Sequence, residues 1–175
     1  METRNDGAPT LLWIECGACS AESMAVLGAE GRGKGGDTLP AFLEDYGVRL
    51  LWHPSLSLES PQQAAALMSR IVAGEQHLTL LCVEGSIIHG PNGSGQFDTF
   101  ECRPKRDLVA ELCQHADFVL AMGSCAAFGG IPAAPPAPSE STGLQYTNSQ
   151  RGGLLGPDWV SHGGDAPDQS KCLPG

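Results

Sequence analysis

An open parallel β-sheet with helices on both faces is the fold class that the sequence predicts, and three observations lead to it. Strand-like and helix-like segments alternate along the first three quarters of the chain. The strand-like segments are near-continuous apolar runs, as expected where both faces of a sheet are covered. One helix start, at Ser60, carries a complete set of start signals. Alternation of this kind means parallel strands joined by crossovers.

Taken in order, "LLWI" (11–14) reads as a buried strand and Ser20 to Leu27 as a helix with Ser20 as its cap. The glycine-rich stretch "GAEGRGKGG" (28–36) reads as a flexible linker. It could pass for a phosphate loop, but Gly35 stands where Ser or Thr should bind magnesium, and the stretch follows a helix rather than a strand. "TLPAFLEDYG" is a short helix and "VRLLWHP" a second strand. Ser60, Pro61 and Gln63 form a cap, a first-turn proline and a capping box, so the next helix runs to about Ala73 and stops at Gly74. "HLTLLCVEG" is a third strand. "PKRDLVAELCQHA" is a helix with Leu108, Val109 and Leu112 on one face, and "FVLAMG" a fourth strand.

The organisation expected is a flexible N-terminus over residues 1–10, one α/β domain over 11–128, and an irregular segment over 129–175. That last segment holds nine glycines and seven prolines among 47 residues and shows no clear periodicity.

A formal charge of −10 argues against a phosphate-binding surface, so nucleic acid is not an expected partner. No apolar run approaches the roughly 20 residues of a membrane span. The N-terminus has no basic region leading into an apolar core and no twin arginine, from which a cytoplasmic protein is expected. In that compartment seven cysteines suit metal ligation or redox chemistry better than disulfides.

Loops at the carboxyl ends of parallel strands form the binding edge of such a sheet. Glu15, Cys16 and Cys19 follow the first strand, Glu84 ends the third in "CVEGSI", and Cys125 follows the fourth in "MGSCAAFGG". These groups should converge on one edge. A Cys-x-x-Cys pair with distant cysteines suits a tetrahedral thiolate site, and zinc or an iron–sulfur cluster would each accept it. Glycines around Cys125 would let the backbone approach a bulky inorganic core.

"WIECGACSAES", "VEGSI" and "GSCAAFGG", with "GVRLLWHPSLS" and "GLQY…GGLLGPDW", resemble the small subunit of nickel–iron hydrogenases. The resemblance implies a flavodoxin-like domain whose cysteines hold a proximal 4Fe–4S cluster, taking electrons from a nickel–iron centre in a separate large subunit. A downstream electron acceptor is then also expected. Carried over by position, Cys16, Cys19, Cys125 and Cys172 would be cluster ligands, and Glu15 matches an acid implicated in proton transfer. The likeness to cytoplasmic uptake or hydrogen-sensing branches is carried by the missing twin-arginine leader. At its end the chain departs from the pattern. "APDQSKCLPG" offers Cys172 near the expected place without the apolar strand that should precede it, so the C-terminus reads as truncated or altered.

Other classes remain open on sequence. A cluster-free, hydrogenase-like binding module or sensor fragment would only dock on a partner, and a zinc-thiolate domain would be structural. The Cys-x-x-Cys pair alone would also suit a thioredoxin-like redox motif. Cys82 and Cys113 read as small core residues, and Cys102 is assigned no role. Glu84 is expected to satisfy backbone amides in its own glycine-rich loop. The five histidines show no metal-site spacing, with His89 and His162 expected in solvated loops.

Overall fold

The computed structural model describes residues 7–29, 38–148, 150–157 and 172–174. Strand β1 (Thr10–Glu15) is buried over its first five residues, and it lies between β2 (Arg49–Trp52) and β3 (Leu78–Glu84). Two short strands, β4 (Thr99–Phe100) and β5 (Arg103–Pro104), form a separate hairpin. Strand β6 (Ala116–Met122) pairs with β3, and β9 (Cys172–Pro174) pairs with β6. The sheet order is β2-β1-β3-β6-β9, every pair parallel. Counting only the strands of this sheet, that is the 2-1-3-4-5 order of the flavodoxin-like fold, with its switch point between β1 and β3.

Residues alternate across β1 because side chains of a strand point to opposite faces. Leu12 and Ile14 join the larger core cluster, with Met68, Ile71, Leu81, Val83, Leu108 and Leu112. Leu11 and Trp13 face the other way, onto Leu39, Cys82, Val26 and Leu27. Each fully buried side chain of this kind is worth about 1.5–3 kcal/mol relative to exposure. Both faces are therefore covered, which accounts for the unbroken apolar strands.

The helices are α1 (Ala21–Leu27), α2 (Leu39–Asp45), α3 (Pro61–Val72), α4 (Lys105–His115) and α5 (Gly123–Phe128). Helix α3 has the full capping box, with the Ser60 side chain accepting from the Gln63 amide and Gln63 accepting in return from the Ser60 amide. Ser20 precedes α1 but does not cap it. Its backbone is left-handed (φ 59°), and its hydroxyl donates instead to the Glu15 carboxylate at 2.6 Å.

The sequence pattern treats "GSCAAFGG" as a loop, whereas Cys125 sits inside the six-residue helix α5. Beyond it, a 3₁₀ turn (Ile131–Ala133) and the hairpin of β7 (Tyr146–Thr147) and β8 (Gln150–Arg151) follow. Leu144 and Leu155 from this stretch are buried in the main core. Residues 1–6 of the N-terminus expected to be flexible over 1–10, most of the glycine-rich linker and His162 lie outside the described residues, while Thr10 is already the buried first residue of β1.

Candidate functional site

The carboxyl ends of β1, β3 and β6 finish level with one another, since Glu15 pairs with Glu84 and Glu84 with Met122. The chain leaving β3 then ties two loops together. The Cys16 amide donates to the Glu84 carbonyl (2.8 Å), and Gly17 and Ser86 exchange a pair of amide–carbonyl bonds at 3.0 Å each. The Ser86 hydroxyl donates to the Gly129 carbonyl at 2.8 Å, just past α5. Gly85 between them adopts φ +87°, and a Cβ there would lie 2.5 Å from the Ala18 side chain. Only glycine lets the cysteine loop lie this close.

Cys16, Cys19 and Cys125 line one groove of about 560 Å³. Ile88, Phe97, Ile131 and Pro132 form much of its wall, and the exposed Phe97 and Ile131 stand at its rim. Cys16 is buried, Cys125 half-buried and Cys19 exposed, so the thiols reach the groove from different depths. Gly130 keeps one side of Cys125 clear, because a Cβ at this position would sit 2.4 Å from the Cys125 sulfur. A donor set of three soft sulfurs in a largely apolar groove fits an iron–sulfur cluster or a thiolate metal site by chemistry. Among the described residues, no three His, Cys, Asp or Glu side chains are arranged to hold a single metal ion.

Burial pushes the Cys16 thiol up to about 12. Asp98 adds to this, Lys105 opposes it and Glu15 adds a further increment. A thioredoxin-like motif needs a first cysteine that ionises near neutral pH. Cys16 is the reverse in the metal-free chain, which disfavours a dithiol redox role.

Glu15 is half-buried beside Cys16. Its carboxylate accepts from Ser20, and its backbone carbonyl accepts from Lys105 Nζ at 2.9 Å. Lys105 also pairs with Asp98 at 2.8 Å. Glu15 and Cys16 share a second cavity, of about 330 Å³, walled by Ile14, Trp52, Met68 and Phe100. Cys16 therefore separates the two cavities.

Glu84 does not serve its own loop. It is fully buried, and one carboxylate oxygen accepts from the amides of Glu22 (3.1 Å) and Ser23 (3.3 Å) in the first turn of α1. The other accepts from the Trp13 indole (3.0 Å) and the Ser23 hydroxyl. His53, also fully buried, accepts at Nδ1 from the Ser55 amide (3.0 Å). The proton of the neutral ring is thereby left on Nε2, 3.4 Å from Ser23 Oγ. Burial lowers the His53 pKa, against the opposing pull of Glu84 and Glu15. Sequence reasoning missed this His53–Ser23–Glu84–Trp13 chain. Only a buried-strand acid, Glu84 at the end of "LTLLCVE", signals it.

Cys172 enters the sheet level with Val119, three positions before β6 ends at Met122. At about 3.3 Å per residue its backbone is about 10 Å short of the edge. Cys82 and Cys113 are core residues, while Cys102 is exposed in the β4–β5 turn with φ 63°. His89 lies in a loop as expected but is half-buried rather than solvated. Its Nε2 lies 2.9 Å from the Thr142 hydroxyl, and burial lowers its pKa, with Arg106 acting in the same direction.

Comparison with known proteins gives one family, described as the NADH ubiquinone oxidoreductase 20 kDa subunit, which matches residues 16–157. The F420 non-reducing hydrogenase II small subunit of Methanosarcina mazei is 27% identical over 134 residues, 71% of this chain and 33% of that one. The quinone-reactive Ni/Fe-hydrogenase small chain of Wolinella succinogenes is 28% identical over 144 residues, 80% of this chain and 38% of that one. The chain thus spans about a third of the length of the curated relatives it matches. Among solved structures, a Ni-Fe-Se hydrogenase from Desulfomicrobium baculatum superposes with a TM-score of 0.66 at 22% identity, covering 87% of this chain and 58% of that one. An actinobacterial-type NiFe-hydrogenase from Ralstonia eutropha gives 0.65 at 24% identity, covering 82% and 46%. At these identities the superpositions establish the fold.

Proposed function

Since the chain belongs to the family of the NADH ubiquinone oxidoreductase 20 kDa subunit, and resembles nickel–iron hydrogenase small subunits, we propose that it is the electron-transfer subunit of a nickel–iron hydrogenase. The observation that carries this reading is the groove lined by Cys16, Cys19 and Cys125. In this proposal those thiolates hold three corners of a 4Fe–4S cluster. When bound, such a cluster accepts and releases single electrons at a potential set by its surroundings.

The remaining steps belong to the chain's own residues. The apolar side chains of Ile88, Phe97 and Ile131 flank the sulfurs, and the exposed rim meets the large subunit that holds nickel and iron, whose docking would cover the exposed Cys19. Glu15 is the residue that would pass protons, its carboxylate held by the Ser20 hydroxyl beside the cavity shared with Cys16. Lys105 fixes the Glu15 backbone and is itself fixed by Asp98. The backbone register of Cys172 favours a fourth ligand other than this cysteine. The downstream acceptor and a cytoplasmic site of action are part of the same reading. No described helix is long and apolar enough to cross a membrane.

The test is anaerobic reconstitution with iron and sulfide, followed by metal analysis and paramagnetic resonance of the reduced protein. The expected result is about four iron and four sulfide per chain with a paramagnetic reduced state. Cys16→Ser and Cys125→Ser should lose most of the iron, and Cys172→Ser should keep it. Stoichiometric zinc without sulfide would overturn the cluster. Cluster-free protein that still co-purifies with a large subunit would leave only a docking module.

A further inference from the structure

At the opposite edge of the sheet, where β2 begins, an open groove of about 410 Å³ lies between β2 and α3. Arg49 comes from the first position of β2, beside Thr10 at the start of β1, and Arg70 from the last turn of α3. Apolar side chains, Leu50, Leu51, Ala66 and Leu67, line the groove between them. We infer that this groove is a binding site for a small organic anion. Its carboxylate or phosphate group would sit between Arg49 and Arg70, and its apolar part would lie on the leucine wall.

The argument begins with charge. The chain carries 20 acidic and 10 basic residues, so a basic side chain has many acids available to pair with. Arg103, Lys105 and Arg106 do so, with Glu111, Asp98 and Asp107. Among the described residues, Arg49 and Arg70 have no carboxylate oxygen within 4.0 Å, although Glu59 lines the same groove. Arg49 also keeps a buried Nε without a hydrogen-bond acceptor. An oxyanion in the groove is the ligand chemistry that the two guanidinium groups, neither paired with a carboxylate, would take. Guanidinium groups match carboxylate and phosphate oxygens in a fork geometry that water does not reproduce.

Two further features fit a small molecule with an apolar body. Groups that could receive other polar atoms, the amides of Gln63 and Gln76, lie on the same lining. The apolar wall would bury an alkyl or ring portion, which adds affinity beyond that of a bare ion. The groove is remote from the cysteines in the fold, at the amino rather than the carboxyl end of the strands, so the inference stands apart from the cluster.

The experiment is amide chemical-shift titration of the reduced, isotope-labelled chain with three probes: inorganic phosphate, hexanoate and neutral hexanol. Saturable shifts at Leu50, Leu51, Ala66 and Leu67 are expected with hexanoate, with phosphate or with both, at a dissociation constant on the order of 1 mM. Hexanoate alone would identify a carboxylate ligand and phosphate alone a phosphate ester. Arg49→Gln and Arg70→Gln should each weaken binding about tenfold, the loss expected for one charge-assisted bond. Arg103→Gln, a paired arginine elsewhere, should leave it unchanged. Absence of saturable shifts, hexanol binding as well as hexanoate, or equal affinity in both arginine variants and wild type would overturn the inference.

Discussion

Replacing Glu84 by glutamine tests the most heavily used side-chain acceptor among the described residues while leaving its volume almost unchanged. Four donors converge on the carboxylate: the Glu22 and Ser23 amides on one oxygen, the Trp13 indole and Ser23 hydroxyl on the other. An amide side chain offers one acceptor oxygen and one donor group. With its NH₂ toward Trp13, the indole N–H is orphaned, because indole nitrogen only donates. The Ser23 hydroxyl could rotate to accept, but its own proton would then lose the acceptor that Glu84 provides. With its NH₂ toward α1, the two first-turn amides lose their acceptor. Either orientation leaves at least one buried donor unpaired, at about 1–3 kcal/mol, and weakens the bonds that had a charged acceptor. Glu84→Gln should therefore lose about 2–4 kcal/mol in total, a large share of the 5–15 kcal/mol typical of a domain. Urea unfolding followed by tryptophan fluorescence reads this as a lower midpoint at unchanged slope. In a Trp13→Phe background the orphaned indole is gone, so the same substitution should cost about 1 kcal/mol less. A loss under about 0.5 kcal/mol in the wild-type background, the range of an ordinary surface change, would refute the reasoning.

Three further outcomes follow from the same geometry. Gly85→Ala sets a Cβ 2.5 Å from the Ala18 side chain at a φ of +87°, so it should cost about 1–3 kcal/mol, whereas Gly74→Ala, with open space around it, should pay only for its own positive φ. Brief alkylation of the native metal-free chain should modify the exposed Cys19 and Cys102 first and spare the buried Cys16, Cys82 and Cys113, as read by mass spectrometry; cluster loading should then protect Cys19 and not Cys102. His53 and His89 both have pKa values held below the ordinary 6.5, chiefly by burial, so the unfolded chain binds more protons than the folded one just below that value. The stability contributed by these two histidines should be level above about pH 6.5 and fall as the pH drops through it, and His89→Gln, measured by urea midpoint against pH, should flatten the fall.

Much of the sheet was legible because its signals are local. Apolar runs gave the strands, and Ser60, Pro61 and Gln63 gave the start of α3 to the residue. The binding edge was legible too, because strand direction alone sends the residues after β1 and β6 to the same side. What escaped was written in long-range or very short features. Ser20 has the right identity for a cap, but a left-handed backbone turns its hydroxyl to Glu15. Helix α5 is six residues long and begins with glycine, too short to show a period. Strand β9 has no pattern of its own and exists through its pairing with β6. The partners of Glu84 lie 61 to 71 residues away, beyond any window in which spacing carries information.

The bridge from Glu84 to Ser86 also fixes an order of events during synthesis. Cys16 and Cys19 leave the ribosome long before the segment that shelters them, and the groove gains its third thiol only with Cys125, 109 positions after Cys16 by their numbering. At about 5–20 residues per second, that interval is roughly 5–20 seconds. Throughout it the nascent cysteine pair has no pocket, open to stray oxidants and metals. Assembly of an inorganic centre on this chain would have to wait for the fourth crossover, and a cell growing in air would gain from keeping the early thiols covered until then.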